Sequence, residues 1–599
     1  MKFLLVGINA KYIHSNPAIR SLKAYAGEEN EKLIETAEYT INHAAEEILA
    51  DLYRRKPDVI GFSCYIWNFE MVRELLADLA GLLPDTDIWL GGPEVSFDGK
   101  ELLAAYPNVR GIMAGEGEET FRELLGFYVM RQERKRDGDG AADTEEGLRA
   151  IRGLILRGGR TPGREELDLD TLPFLYRDLK ELDHRIIYYE SSRGCPYRCS
   201  YCLSSIDRTV RLRGMDRVKR ELRFFLEKKV PQVKFIDRTF NCNHAHALEI
   251  WRFLKENDNG VTNFHFEIAA DLMKEDELCL LETLRPGLAQ LEIGVQSVNE
   301  RTLKEINRPA DTRRIARVVS RLRKGRNIHI HLDLIAGLPF EDLCTFRNSF
   351  NDVYALQPQQ LQLGFLKVLK GSAMERRSLQ YDLVYTGLPP YEVLSTKWLS
   401  YEDICRLKQV EEVLEIYYNS GQFAHTLAFL CGHFDTPFAM YESLAHWYEE
   451  HALFGIQSSR LKKYETILAF GAACIENKEQ IEAYEKSRQI SLLTEYVTYD
   501  LYLREHVKNR PSFAASLETW KDIIHGILHR EAEAHELFPQ LADSGYRDLT
   551  KILHVEVFTS IFDTPRAVLF SYEKRDPLTN NCQTVHLDIS RQSVLSIKK

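Results

Sequence analysis

Three thiols fall within the eight residues Cys195-Pro196-Tyr197-Arg198-Cys199-Ser200-Tyr201-Cys202, spaced C-x3-C-x2-C. Three buried side chains or a structural zinc site would be the bland uses. Structural zinc takes four ligands, commonly from two separated pairs, and no second cysteine pair or nearby histidine completes that set. A loop this tight lets three thiolates hold three corners of a cubic 4Fe-4S cluster and leaves the fourth iron open to a small molecule. Cys195, Cys199 and Cys202 are therefore the expected cluster ligands.

Such a loop needs a strand to deliver it. Apolar segments at Ile186–Ser191, Val233–Asp237, Phe264–Ala269, Leu291–Val295, Ile328–Ala336 and Leu361–Leu369 alternate with helical segments. That alternation predicts six βα units, a partial (β/α) barrel with chemistry at the C-terminal strand ends. The thiols follow the first of these strands. Upstream, Phe3–Val6, Val59–Ser63, Ile88–Leu90 and Gly111–Ala114 read as strands of a doubly wound parallel sheet, with glycines and polar residues at their ends. Arg131–Gly147 is highly charged and reads as an exposed loop, and Ile151–Arg157 as a short strand leading into the next domain. Past Pro390, the positions Ile404, Leu407, Val410, Val413, Leu414 and Tyr417 recur at helical spacing, and strands return near Val555–Phe562, Arg566–Tyr572 and Thr584–Ile589. The expected α/β division is a Rossmann-like domain at 1–130, a linker at 131–180, the barrel at 181–375, and a mostly helical domain at 376–599 with strands near 552–590.

The chain has 599 residues, 44% apolar and 28% charged, with a formal net charge of −11. This is the balance of a soluble, several-domain globular protein. A mildly acidic chain has no global attraction to nucleic acid, although the basic run Arg313–Arg326 keeps RNA open, with a solvated helix face as the plainer reading. Apolar runs are broken well short of the ~18 residues of a membrane span. Met1–Gly7 reads as a first strand rather than a signal peptide. Eleven cysteines are too sparse for a disulfide scaffold, and the expected location is the cytoplasm.

The cysteine spacing, the aromatic Tyr201 before the last thiol and the six-unit barrel resemble the radical S-adenosylmethionine (SAM) superfamily. The resemblance implies that SAM binds the open iron through its amino and carboxylate groups and is cleaved to a 5′-deoxyadenosyl radical. Tyr201 flanks the cluster. In Phe235–Phe240 the Gly-Gly-Glu-Pro of many relatives is missing, so Asp237 and Thr239 are the candidates for the methionyl amine. Glu267 either contacts ribose hydroxyls or faces solvent. Gln296 and Ser297 lie in a fourth-strand motif similar to the methylthiotransferase-like branch, Arg308 resembles the arginine pairing with the methionyl carboxylate, and Gly337 would let adenosine approach.

A parallel sheet directly ahead of this barrel resembles the cobalamin-binding domain of the class B radical enzymes. The resemblance implies corrinoid contacts from Asn9, Ala10 and Lys11, from Ser63, Tyr65, Trp67 and Asn68, from Gly91, Gly92, Pro93 and Glu94, and from Gly115, Glu116 and Glu118. The Asp-x-His-x-x-Gly pattern of an axial histidine is absent, and His14 reads as a hydrogen-bonding residue. A second cluster of the methylthiotransferase kind would need three early cysteines, and only Cys64 precedes Cys195. The remaining cysteines, Cys242 near the pocket included, read as buried apolar side chains. Trp398, Tyr401, Trp447 and Trp520 read as core, and residues 400–599 as a family-specific lid or substrate-selecting domain. The implied activity is methyl transfer to an unactivated carbon of an unidentified substrate, with a flavodoxin- or ferredoxin-like reductant. The alternatives are a radical enzyme without cobalamin and a non-catalytic cluster protein.

Overall fold

The computed structural model describes residues 1–136, 145–206, 209–542 and 544–590. β1 (Phe3–Asn9) and β3 (Val59–Ser63) are buried along their whole length, as the continuous apolar runs of strands covered on both faces require. With β2 (Ile34–Thr40), β4 (Asp87–Gly91), β5 (Val109–Met113), β6 (Leu154–Leu156) and β7 (Gly159–Arg160) they form a seven-stranded sheet in the order β2-β1-β3-β4-β5-β6-β7. β1 to β5 pair in parallel, and β6 joins β5 antiparallel. Two expectations change here. β2, Ile-Glu-Thr-Ala-Glu-Tyr-Thr, is an edge strand whose charges hid it. The strand expected to lead into the barrel domain instead completes this sheet, because Leu154, Ile155 and Leu156 are buried against it. Of the expected loop, Arg131–Arg136 continues a helix from Glu118, and 137–144 lie outside the described residues.

The second sheet holds six parallel strands in the order β15-β14-β13-β12-β11-β8: β8 (Ile187–Tyr189), β11 (Gln232–Phe235), β12 (Asn263–Ile268), β13 (Ala289–Gln296), β14 (His329–Ala336) and β15 (Gln360–Phe365). Between β8 and β11 lies a short antiparallel pair, β9 (Ser192–Arg193) with β10 (Arg211–Leu212). In β13, Leu291, Ile293 and Val295 are buried and join the core shared with Leu222, Phe225 and Trp251 of the covering helices, while Glu292, Gly294 and Gln296 between them are part-exposed. The two-residue period thus sends one set into the outer core and the other into the lumen.

The barrel's open edges are covered by other parts of the chain. The Ile186 amide donates to the Ile13 carbonyl at 2.7 Å and Ser15 Oγ to the Ile186 carbonyl at 2.9 Å, so the first loop of the N-terminal sheet lies along the entry to β8. At the other side β16 (Val384–Tyr385) and β17 (Val393–Ser395) form a hairpin, and the Val393 amide donates to the Leu366 carbonyl just past β15.

The rest is helical until β18 (Leu553–Phe558), β19 (Arg566–Arg575) and β20 (Cys582–Asp588), an antiparallel sheet packed on Tyr499, Tyr502 and Leu503 of the helix Ala483–Arg504. All six periodic positions from Ile404 to Tyr417 are buried. Tyr401 departs from expectation: it opens its helix and is 58% exposed. Cys279 and Cys344 are likewise exposed rather than core. Arg321 of the basic helix is tied to Glu275 and Glu282, as a solvated face would be. Among the described residues no helix is long and apolar enough to cross a membrane.

Candidate active site

The cysteine loop is built by β8 and β9. Gly194, at φ +100°, turns the chain into Cys195, and a side chain there would collide with the Thr209 carbonyl. Cys195 and Cys199 are buried and Cys202 is half-buried, and none is in a disulfide. The Ser200 amide donates to the Ile306 carbonyl at 2.9 Å, and the Met374 amide to the Ser200 carbonyl at 2.8 Å, which fasten the loop on both sides. Tyr201 is packed against the barrel core.

Asp237 lies beneath this loop rather than in it. Its carboxylate accepts the Ser191 amide at 3.0 Å and the Ser191 and Ser192 hydroxyls at 2.6 Å each. Burial pushes it up to about 6 despite those bonds. The expected amine contact is therefore corrected: both oxygens are occupied in holding the end of β8. Thr239 Oγ1 lies 3.6 Å from Cys195 Sγ. Cys242 is half-buried, and burial, followed by the charge of Cys195, pushes its thiol up to about 11.

Arg308 and Gln296 converge on Gly294. Arg308 Nη1 lies 3.7 Å from Cys199 Sγ, and Nη2 donates to the Gly294 carbonyl. A Cβ on Gly294 would run into the Gln296 amide and come 3.3 Å from Arg308 Nη2. Arg308 Nε and Gln296 Oε1 are buried without a hydrogen-bond partner. Buried polar atoms are rarely left so. A donor and an acceptor waiting beside a thiol fit the carboxylate and amine of an amino-acid ligand such as the methionyl part of SAM.

Two other expected contacts do not join them. Ser297 is fully buried and donates to Glu341 Oε1 at 2.6 Å, which Ser349 also reaches at 2.8 Å. Gly337, at φ +92°, would bring a Cβ 2.8 Å from Val393 Cγ1, so its glycine admits the close approach of the hairpin. Glu267 does not face bulk solvent. It is opposite Glu292 in register, in the lumen, and burial followed by the Glu292 charge pushes it up to about 7.

On the N-terminal sheet, the strand-end loops meet the barrel. Glu116 accepts from Arg193 and Arg211 at 2.8 and 2.7 Å, and Glu118 from Arg193 at 3.0 Å. Burial alone would raise the Glu116 carboxyl, but Arg211 and Arg193 hold it at about 2. Glu94 meets Lys370 at 3.2 Å and accepts from the Tyr391 hydroxyl. These three carboxylates, expected on a corrinoid, are tied to the barrel and its C-terminal extension instead. Asn9 and Asn68 are likewise engaged within the N-terminal domain, Asn9 with the His14 carbonyl and Glu38, Asn68 with the Ile8 and Ser63 carbonyls. Gly92 and Pro93 form the turn after β4, where a Gly92 Cβ would collide with the Cys64 carbonyl. The open positions are Ala10, the exposed Lys11, the part-exposed Gly91, Tyr65 and Trp67 stacked at 4.4 Å, and Gly115, which has nothing within 4 Å of a Cβ. A bare backbone facing open space after β5 and a flat aromatic pair after β3 fit a large planar ring across the strand ends.

Sequence reasoning missed Glu190, Arg193, Arg211, Lys370 and Tyr391. They act through partners far along the chain, with no spacing to betray them.

Two family models cover these halves: B12 binding domain over residues 4–125, and Radical SAM superfamily over residues 189–353. The chain carries a B12-binding domain and a radical SAM domain, the pairing of cobalamin-dependent radical SAM enzymes. The C-terminal part, residues 379–573, matches a third model, described as a protein of unknown function, DUF4080. Among curated proteins this radical SAM chain is 27% identical over 309 residues to 2-(S-pantetheinyl)-carbapenam-3-carboxylate methyltransferase of Streptantibioticus cattleyicolor, covering 50% of this chain and 45% of that one. It is 25% identical over 310 residues to the cobalamin-dependent radical SAM methyltransferase TokK of Streptomyces tokunonensis, with the same coverage. The match thus spans less than half of each relative. The solved structure of OxsB, described as a cobalamin-dependent S-adenosylmethionine radical enzyme with aqua-cobalamin bound, shares the fold at TM-score 0.55 and 14% identity, covering 84% of this chain and 80% of that one.

Proposed function

We propose that this chain is an enzyme that uses a 4Fe-4S cluster, SAM and cobalamin to transfer a methyl group to an unactivated carbon. The observation that carries the reading is the Arg193 clamp, which fixes the strand-end loop Gly115–Glu118 of the B12-binding half directly to the cysteine loop. When bound, the cluster with SAM supplies one-electron cleavage of a sulfonium, and cobalamin supplies methyl-transfer chemistry.

The chain's own residues supply position. Cys195, Cys199 and Cys202 would hold the cluster. Arg308 and Gln296 would orient the amino-acid end of SAM, with Thr239 beside Cys195. Ala10, Lys11, Gly91, Tyr65, Trp67 and Gly115 would carry the corrinoid. The buried thiol loop excludes water from the reacting centre. Residues 379–573 would select the substrate, which is not identified, and a flavodoxin or ferredoxin would deliver the electron. A reduced cluster and sparse, unpaired cysteines suit the cytoplasm. Two methyltransferases among the relatives support methyl transfer over other radical outcomes.

The test is anaerobic reconstitution with iron, sulfide and hydroxocobalamin, then incubation with SAM and a reductant. The reading expects stoichiometric corrinoid, 5′-deoxyadenosine, and S-adenosylhomocysteine formed only when cobalamin is present. A chain that retains no corrinoid at full iron loading is not this enzyme.

A further inference from the structure

The lumen below the SAM layer carries a second group of ligand-type side chains. Glu292 of β13 and His331 of β14 are register partners, and Asp333 is the next lumen-facing position on β14. One donor atom from each of these three lies within 4.8 Å of the others. His265 of β12 adds Nε2 at 2.8 Å from Glu292 Oε2.

These contacts are close but do not satisfy the groups. His331 Nε2 lies 3.0 Å from Asp333 Oδ1, yet His331 Nε2, Asp333 Oδ1 and His265 Nε2 are all buried without a hydrogen-bond partner. The two imidazoles are only 5% and 7% exposed, for His331 and His265. Short distances with the wrong alignment are expected when lone pairs point at a shared centre rather than along an N–H bond. Charge argues the same way. Lys234, 3.1 Å from Glu292 Oε2, offsets one carboxylate and the Arg238 charge acts on Glu267, which leaves Asp333 with only the His331 imidazole beside it. Burying that carboxylate without a full counter-charge is costly unless another cation joins it.

We propose that Glu292, His331 and Asp333, with His265 alongside, form a binding site for one divalent transition-metal ion, separate from the cysteine cluster. An imidazole with two carboxylates suits manganese, iron(II) or zinc over calcium or magnesium. Glu292 is one lumen-facing position below Gly294, whose carbonyl binds Arg308. The ion would therefore sit about 7 Å deeper along the strands, where an open coordination position can take an anionic group of a ligand entering the lumen. The site does not depend on methyl transfer.

Mn2+ alone is the probe, because it favours oxygen and nitrogen donors over thiolates. Equilibrium dialysis of the full, cluster- and cobalamin-loaded chain should retain one Mn2+ per chain. Cys195→Ala/Cys199→Ala/Cys202→Ala should retain it equally. His331→Gln and the near-isosteric Asp333→Asn should each weaken it more than tenfold with iron content unchanged. Retention well below one per chain, or stoichiometric Mn2+ that neither lumen variant weakens, overturns the site.

Discussion

Arg193 Nη2 lies 3.0 Å from the carboxylate of Glu118, which precedes it by 75 residues and opens the helix that follows β5. The same guanidinium reaches Glu116 and Glu190. It stands two residues before the first cluster thiol. One side chain therefore sets the distance between the loop proposed to face the corrinoid and the loop proposed to hold the cluster.

Replacing Arg193 by Lys keeps the charge but removes the planar fork that serves three carboxylates. A misplacement of about 1 Å at a reacting pair can cost about 100-fold in rate. The expected result for R193K is unchanged iron content with cobalamin-dependent S-adenosylhomocysteine formation reduced at least tenfold, on the order of that estimate. Iron counting and product chromatography check both halves.

Arg308 and Ser297 were equal candidates in the sequence and part ways in the fold. Arg308→Lys should weaken SAM binding by more than tenfold, because Nε and the fork are lost beside Cys199. Ser297→Ala should leave SAM affinity unchanged and lower stability by about 1–3 kcal/mol, since Glu341 loses a buried partner. Isothermal titration with SAM and thermal unfolding separate the two.

Glu341 gives the fold a pH signature. Burial raises its carboxyl from 4.5 to about 7 against the bonds from Ser297 and Ser349. Below 4.5 it is protonated in both folded and unfolded chains. As pH rises toward 7 the unfolded chain ionises first, so this group's contribution to stability is lost across that window and the loss is complete above it. Glu341→Gln, which keeps an acceptor for Ser297, should therefore gain on the parent by about 3 kcal/mol between pH 4.5 and 8. Denaturant unfolding at several pH values measures it, and a pH-independent difference would contradict the assignment.

What the sequence revealed, and what it hid, follows from range. The six barrel strands were legible because Leu291-x-Ile293-x-Val295 and its counterparts must bury one face. The three cysteines were legible because one short loop contains the whole pattern. β2 was not, because an edge strand tolerates Glu35 and Glu38, which break its apolar run. Glu94, Glu116 and Glu118 were correctly placed at strand ends, but their partners Lys370, Arg211 and Arg193 are contacts only folding creates. The same holds for Gly337, whose glycine serves Val393 of a hairpin that no local pattern connects to it.

The most direct test is iron analysis with Mössbauer spectroscopy on the anaerobically reconstituted chain, beside the variant with Cys195, Cys199 and Cys202 all changed to alanine. The account predicts four irons per chain as one cubane whose spectrum changes on adding SAM, and loss of that cluster in the variant. Zinc in place of iron, or a cluster that survives the triple substitution, would contradict it.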